Sequence, residues 1–326
     1  SSAASDVYKR QVEGTAADYN FDARSEVRLE NDRLITLISP HQNGQIYELD
    51  IRPICHNLMA SLQRRPETYH RKVLAGPSEH QGEVASIHDM VVFKQEGLNE
   101  RVQYDKFPRH SLIDHFFAMD TTREQFENQT AVEVGDFIHQ DYEAVIRRKQ
   151  DRVQVMMTGS GLVEGIPLQM TKGITMEAGS STLEVAYMIE GLPQDRTFHF
   201  GVEFNLAGLP QQADDRYFFS GNGTRLGHLG QRLELHNERE LGLCDEWLGV
   251  RLQLLSDAQA NFWTYPVETV SQSEGGFELV HQAVCVVPHW FVQGDSQGRW
   301  SVTLRLDIDT TLAESRMEKS TTLVAS

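Results

Sequence analysis

Asp18, Asn20, Asp22 and Glu26 place oxygen-bearing side chains at positions 1, 3, 5 and 9 of DYNFDARSE. Alternate residues of a curled loop point inward, so this spacing gathers oxygens around one hard cation, and Ca2+ is the expected ion. Position 6, where such loops carry glycine, is Ala23, which makes the turn harder to close. An acidic turn that folds without metal is the competing reading. A second concentration lies in Phe262–Trp290, FWTYPVETVSQSEGGFELVHQAVCVVPHW. Here Trp263, Tyr265 and Trp290 accompany Glu268, Glu274, Glu278, His281 and His289. Aromatic planes stack on the apolar faces of sugars while carboxylates accept from their hydroxyls. A carboxylate and a histidine also suit acid–base work on a hemiacetal. The alternative is a hairpin with packed aromatics and solvated carboxylates.

The third concentration is Tyr104–Phe117, YDKFPRHSLIDHFF, in which charged and titratable groups are threaded among aromatics. Such a mixture marks a surface against which something docks, with Arg109, Asp114 and His115 as contacts. Local Arg109–Asp114 and Asp105–His110 pairs that hold a strand edge would explain it equally. His199, Glu203 and Asn205 share the polar face of one alternating strand, which lines either a groove or solvent. Tyr47 and Asp50 follow the Asn43-Gly44 turn and face either a partner or sugar, or the solvent beside a plain hairpin. Phosphate-binding glycine loops and HExxH are absent from the sequence.

The elements that must position these groups are strands. Apolar and polar residues alternate strictly over Leu183–Ile189, Phe198–Leu206 and Trp300–Ile308. Period two with one apolar face predicts half-buried antiparallel strands. Further strands are expected at Asp32–Ser39, Gln45–Arg52, Ala85–Phe93, Tyr142–Ile146, Arg152–Gly159, Ile166–Met176, Arg251–Leu255, Phe262–Val270 and Leu279–Val287. Glycine and asparagine turns separate them, at Asn43-Gly44, Gly221-Asn222-Gly223 and Gly275-Gly276 among others. Helical pattern is limited to Ile54–Gln63 and to Thr121–Asn128, which opens on a Thr121–Glu124 capping box. The expected fold is all-β: one large antiparallel β-sandwich with a few short helices.

The chain has 326 residues and a formal charge of −17, which disfavours nucleic acid and anionic membranes as partners. No apolar run is long enough to span a bilayer. Cys55, Cys244 and Cys285 are odd in number and sit in apolar contexts, so reduced core thiols of a cytoplasmic protein are expected. Residues 1–17 begin without Met and, over SSAASDVYKRQ, have the character of a non-native leader. Residues 18–309 form the domain, and Thr310–Ser326 is expected to be a flexible polar tail.

DYNFDARSEVRLENDRL, SPHQNGQIYELDIRPICHNL and RRPETYHRKVL, within Asp18–Ala75, resemble the start of the C-terminal β-sandwich domain of glycoside hydrolase family 57. YDKFPRHSLIDHFF, FGVEFNLAGLP, ADDRYF, LCDEWLGV and ETVSQSEGGFELVHQ continue the resemblance in order to about Asp309. This family comprises α-amylases and 4-α-glucanotransferases. The resemblance implies a galactose-mutarotase-like supersandwich that follows an N-terminal catalytic (β/α)7 barrel, with the two catalytic carboxylates in the barrel. No residue of this chain takes those roles by motif. The expected function is therefore a non-catalytic accessory domain that supports the barrel, with an α-glucan or maltooligosaccharide as ligand. The Tyr104–Phe117 block then becomes a junction with the barrel, unless Arg109, Asp114 and His115 are buried within this domain alone. Two alternatives are a free-standing aldose-1-epimerase-like enzyme and a calcium-supported glucan-binding module.

Overall fold

The computed structural model describes residues 11–59, 64–67, 69–74, 98, 101–209 and 214–325. Five strands, β1 (Val12–Ala17), β2 (Glu26–Asn31), β3 (Leu34–Ser39), β4 (Gln45–Ile51) and β5 (His56–Asn57), form an antiparallel meander. Residues 1–17, set aside from the sequence as a leader, thus contain β1, which pairs with β2 from Val12↔Asn31 to Ala17↔Glu26. A short helix, α1 (His70–Leu74), follows, and then β6 (Ile113–Phe117) and α2 (Arg123–Glu127).

The large sheet holds β6 and the remaining strands. These are β7 (Glu143–Arg148), β8 (Arg152–Val163), β9 (Ile166–Glu177), β10 (Thr182–Glu190), β11 (Thr197–Ala207), β12 (Arg216–Phe219), β13 (Arg225–His228), β14 (Glu234–Asp245), β15 (Val250–Ser273), β16 (Gly276–Gln293) and β17 (Arg299–Asp309). Every pairing is antiparallel. The strands expected at Arg251–Leu255 and Phe262–Val270 are one 24-residue strand, β15. Its first part pairs with β17 over Arg251–Ser256 and its second with β16 over Asn261–Ser273. By changing neighbours β15 branches the sheet, and a second layer, β6-β11-β16, grows from the branch.

Inward residues of both sheets meet in one core. Leu29, Leu34 and Ile38 of the small sheet share it with Val155, Ile174, Val185, Phe200 and Val286 of the large one. A smaller cluster, Phe117, Phe126, Trp263, Tyr265, Val267, Ala283, Cys285 and Val287, lies on the other face of the β6-β11-β16 layer.

Several local expectations shift. The helix expected from Ile54 is replaced by a 3-10 turn at Arg52–Ile54, then Cys55 at φ 51 and β5. A left-handed Cys55 ends the helical path, and the Asn57 side chain then accepts from the Met59 amide at 3.1 Å. Cys55 is also exposed, while Cys244 and Cys285 are buried as expected. The capping box is formed one residue later, by Thr122 with Gln125. The strand expected at Ala85–Phe93 lies outside the described residues.

The polar C-terminal stretch is not a loose tail: Thr311–Ala325 is a helix, α3. Asp309 accepts from the Thr311 amide at 2.9 Å, and Arg33 grips Glu314 with two bonds of 2.9 and 2.8 Å. Its Ala, Leu, Glu, Arg, Met and Lys content favours a helix intrinsically. Among the described residues no helix is long and apolar enough to cross a membrane.

Candidate functional site

Strand alternation builds the site. Phe198, Phe200, Val202, Phe204 and Leu206 of β11 enter the main core, so His199, Gly201, Glu203 and Asn205 face the smaller cluster. On β6, Asp114 and Phe116 face the core side, while Ile113, His115 and Phe117 face the same side as Glu203. Together with the Asp105–Arg109 segment, Tyr265 of β15 and residues from Phe126 to His139, they enclose a cleft of about 170 Å³.

The floor of this cleft is a compensated ion network. His115 contacts Glu203 Oε1 through Nε2 at 2.9 Å and Glu133 Oε2 through Nδ1 at 3.1 Å. Arg109 donates to Asp105 Oδ1 at 2.9 Å and to the Tyr265 hydroxyl at 2.8 Å. Asp105 also receives Arg64, whose Nη1 reaches the Glu268 carbonyl at 3.0 Å and ties the loop to the β15-β16 hairpin. Asn205 donates to Glu203 Oε2 at 2.6 Å.

Burial pushes the His115 pKa down, but Glu133 and Glu203 outweigh it and hold it at about 10. Burial raises Glu203, which His115 and Arg109 more than reverse, keeping it below the usual carboxylate range. Asp105 is held low against its burial by Arg64 and Arg109. Three cations, Arg64, Arg109 and His115, thus face three anions, Asp105, Glu133 and Glu203. Phe117, Phe126, Tyr265 and Ile113 form the walls, and Lys106, Phe107 and Pro108 form an exposed rim.

The expected junction through Arg109, Asp114 and His115 is overturned. They are 5, 0 and 6% exposed, covered by this domain alone. The expected local pairs are also replaced: Arg109 binds Asp105, and Asp114 binds Lys172 of β9 at 2.8 Å. Lys172 also donates to the carbonyls of Asn43 and Leu112, both residues at φ 60. That buried ammonium fixes two left-handed turns of the chain, one of them directly before β6.

His199 is sealed among Phe117, Trp263 and Phe291, with its Nε2 2.7 Å from His289 Nδ1. Burial lowers the pKa values to about 4 for His199 and about 2 for His289. Trp290 is a core residue stacked on Phe200, not a sugar platform. Glu268 and His281 are cross-strand neighbours beside a bulge, with Arg101 3.4 Å from Glu268. Glu274 is exposed in the two-residue turn between Ser273 and Gly276. Of the second concentration only Tyr265 reaches the cleft; Glu203 arrives from β11, whereas Glu133, Arg64 and Lys172 carry no signal in the sequence. Asp50 is half-buried beside Glu48 and helps raise the Glu48 pKa after burial has done so.

The oxygen-rich loop closes on its own backbone. Ala23 takes φ 67 and Phe21 φ 62, the strain that a glycine would avoid. Asp18 accepts from the Asp22 and Ala23 amides at 3.1 and 2.9 Å, and Asn20 accepts from the Asp22 amide at 3.2 Å. Asp22 Oδ1 likewise accepts from the Arg24 amide at 2.9 Å, while Asp22 Oδ2 and Glu26 Oε1 lie 3.4 and 3.8 Å from Nε2 of His41, a neighbour not expected from the sequence. Tyr47 is half-buried, and burial followed by the charges of Glu26 and Glu48 raises its hydroxyl pKa.

A branched antiparallel sandwich of this kind is the galactose-mutarotase-like fold. The chain superposes on a galactose mutarotase-like protein from Clostridium acetobutylicum with a TM-score of 0.53 at 10% identity, over 91% of this chain and 98% of that one. At that identity the likeness concerns the fold alone. A sequence model of the family described as alpha-amylase/4-alpha-glucanotransferase, C-terminal, matches residues 18–304, and the chain belongs to that family. It is 29% identical to alpha-amylase 1 of Dictyoglomus thermophilum over 88% of its own length and 41% of that protein's. It is 28% identical to the 4-alpha-glucanotransferase of Thermococcus litoralis, over 83% of this chain and 38% of the relative. The crystal structure of the Thermococcus litoralis 4-alpha-glucanotransferase superposes with a TM-score of 0.69 at 26% identity, over 91% of this chain and 41% of that chain. The chain thus spans roughly two fifths of the length of the relatives it matches.

Proposed function

We propose that this chain is a non-catalytic accessory domain of an α-glucan-acting α-amylase or 4-α-glucanotransferase of glycoside hydrolase family 57. In this reading it supports a catalytic barrel carried elsewhere in the parent protein, and its cleft takes one sugar ring. The observation that carries the reading is a family match confined to 38–41% of these relatives' length. The cleft suits a neutral polyhydroxyl ligand because its floor charges cancel and its walls are aromatic. Its 170 Å³ is below the roughly 300–1,000 Å³ of pockets for drug-sized ligands, so a ring enters and a chain does not. The three free thiols suit a reducing, cytoplasmic compartment.

The epimerase alternative finds a histidine and a carboxylate 2.9 Å apart, His115 and Glu203. Their pKa values are driven apart into a fixed ion pair, however, and an effective acid or base titrates near the working pH. Mutarotation of glucose, followed by polarimetry, should therefore run at the buffer rate. The full chain should show no turnover of maltooligosaccharides, and turnover would defeat the accessory reading. Affinity electrophoresis in amylopectin should retard the chain, and Phe107→Ala, at the cleft rim, should weaken the retardation. Unretarded migration of the unaltered chain would remove the sugar from the cleft.

A further inference from the structure

We propose that Asp22, Glu26 and His41 form a binding site for a first-row divalent ion of the zinc class. One ligand atom from each lies within 4.8 Å of the other two. His41 Nε2 is 3.4 Å from Asp22 Oδ2 and 3.8 Å from Glu26 Oε1. Ligands roughly 2.1 Å from a tetrahedral ion stand about 3.4 Å apart, close to the two His41 contacts, with the Asp22–Glu26 pair within 4.8 Å.

An independent observation points to a ligand here. Glu26 is 0% exposed, yet its Oε1 has no hydrogen-bond partner, and neither has either ring nitrogen of His41 nor the Tyr47 hydroxyl. A buried carboxylate oxygen left bare costs free energy that a cation would recover. The second Glu26 oxygen accepts from the Tyr19 amide at 2.8 Å, which fixes the carboxylate and directs Oε1 toward His41. The Asp22 side chain is 38% exposed, which leaves an entry path and room for water as the fourth ligand.

The donor set selects the ion. Calcium takes six to eight oxygens, whereas Asp18, Asn20 and Oδ1 of Asp22 accept from backbone amides of the loop, which leaves Asp22 Oδ2 with only the Asn20 side-chain amide at 3.3 Å as competitor. An imidazole with two carboxylates suits zinc and its neighbours.

The test uses the tag-free, chelator-stripped full chain in calorimetric titration with Zn2+, Mn2+ and Ca2+, with visible spectra of the Co2+-loaded protein. One Zn2+ per chain, a rise in Tm and a Co2+ d–d band are expected. His41→Gln and Asp22→Asn should each weaken Zn2+ binding at least tenfold. Asp22 is exposed, so its variant keeps the test decisive if the His41 variant fails to fold. No Zn2+ binding, or binding indifferent to a folded variant, overturns the proposal. A response to Ca2+ without Zn2+ also overturns it and returns the site to the oxygens of Asp18–Glu26.

Discussion

At the scale of single residues, the buried charges carry the sharpest consequences. Lys172 and Asp114 are both 0% exposed, and burial pulls the Lys172 pKa down against the pull of Asp114. Removing one partner strands the other, so Asp114→Ala should cost about 3–5 kcal/mol in urea unfolding. Asp114→Leu combined with Lys172→Met removes both charges and should be milder than Asp114→Ala alone; an equal or larger loss would sink the ion-pair argument. His115 makes a pH prediction. Its folded pKa of about 10 exceeds its unfolded value of 6.5, so its contribution is complete below pH 6.5 and is lost as pH rises toward 10. His110 and His199, lowered to about 4 by burial, act in the opposite direction. Unfolded chains take up those protons first, so stability falls as pH drops from 6.5 toward 4. Stability should therefore peak near pH 6.5, each group contributing a slope of up to about 1.4 kcal/mol per pH unit. Unfolding of His115→Gln should flatten between pH 7 and 9; an unchanged slope would show that another group sets it.

At the scale of elements, β11 is where two cores are separated by one strand. Gly201 faces the smaller cluster directly beneath the Phe117 ring, and a Cβ there would lie 2.6 Å from Phe117 Cε2. Gly201→Ala should destabilise by about 1–3 kcal/mol through overpacking. Pairing it with Phe117→Leu should recover part of the loss, and strict additivity in the double variant would contradict the contact. The C-terminal helix offers a second case. α3 buries only Ala313 and is held by Arg33 on Glu314 and by Arg316 on the Trp247 carbonyl. Arg33→Ala should accelerate tryptic cleavage at Arg316 and Lys319 while global unfolding moves by no more than about 1 kcal/mol. Unchanged cleavage kinetics would mean that this grip does not hold the helix.

At the scale of the whole molecule, the continuous core across both sheets makes one cooperative unit. Calorimetry should show a single transition with equal calorimetric and van't Hoff enthalpies; two resolved transitions would separate the sheets. The strand β15 has a part in this unity, because it belongs to both branches of the large sheet. The charge of −17 on the same unit disfavours polyanionic partners.

The sequence by itself determined most of the long strands and the sandwich class, because period-two alternation is a local property that survives tertiary context, and its ordered motif blocks pointed to the family; β1, β12, β13 and β14 were not foreseen. It also placed Glu203, Arg109 and His115 among the groups worth following. It could not decide which face of a polar strand meets solvent. Glu203 and His199 stand four residues apart on one face of β11, yet one joins a cleft floor and the other is sealed under Phe291. That outcome depends on α2 and the Asp105–Arg109 segment, which fold over the strand from far along the chain. Charge partners were likewise misread wherever they were expected nearby. Asp114 of β6 finds Lys172 across the core on β9, a strand not paired with β6, and Glu26 finds His41 in the turn after β3, because the packing of layers and turns, not distance in sequence, sets these partners.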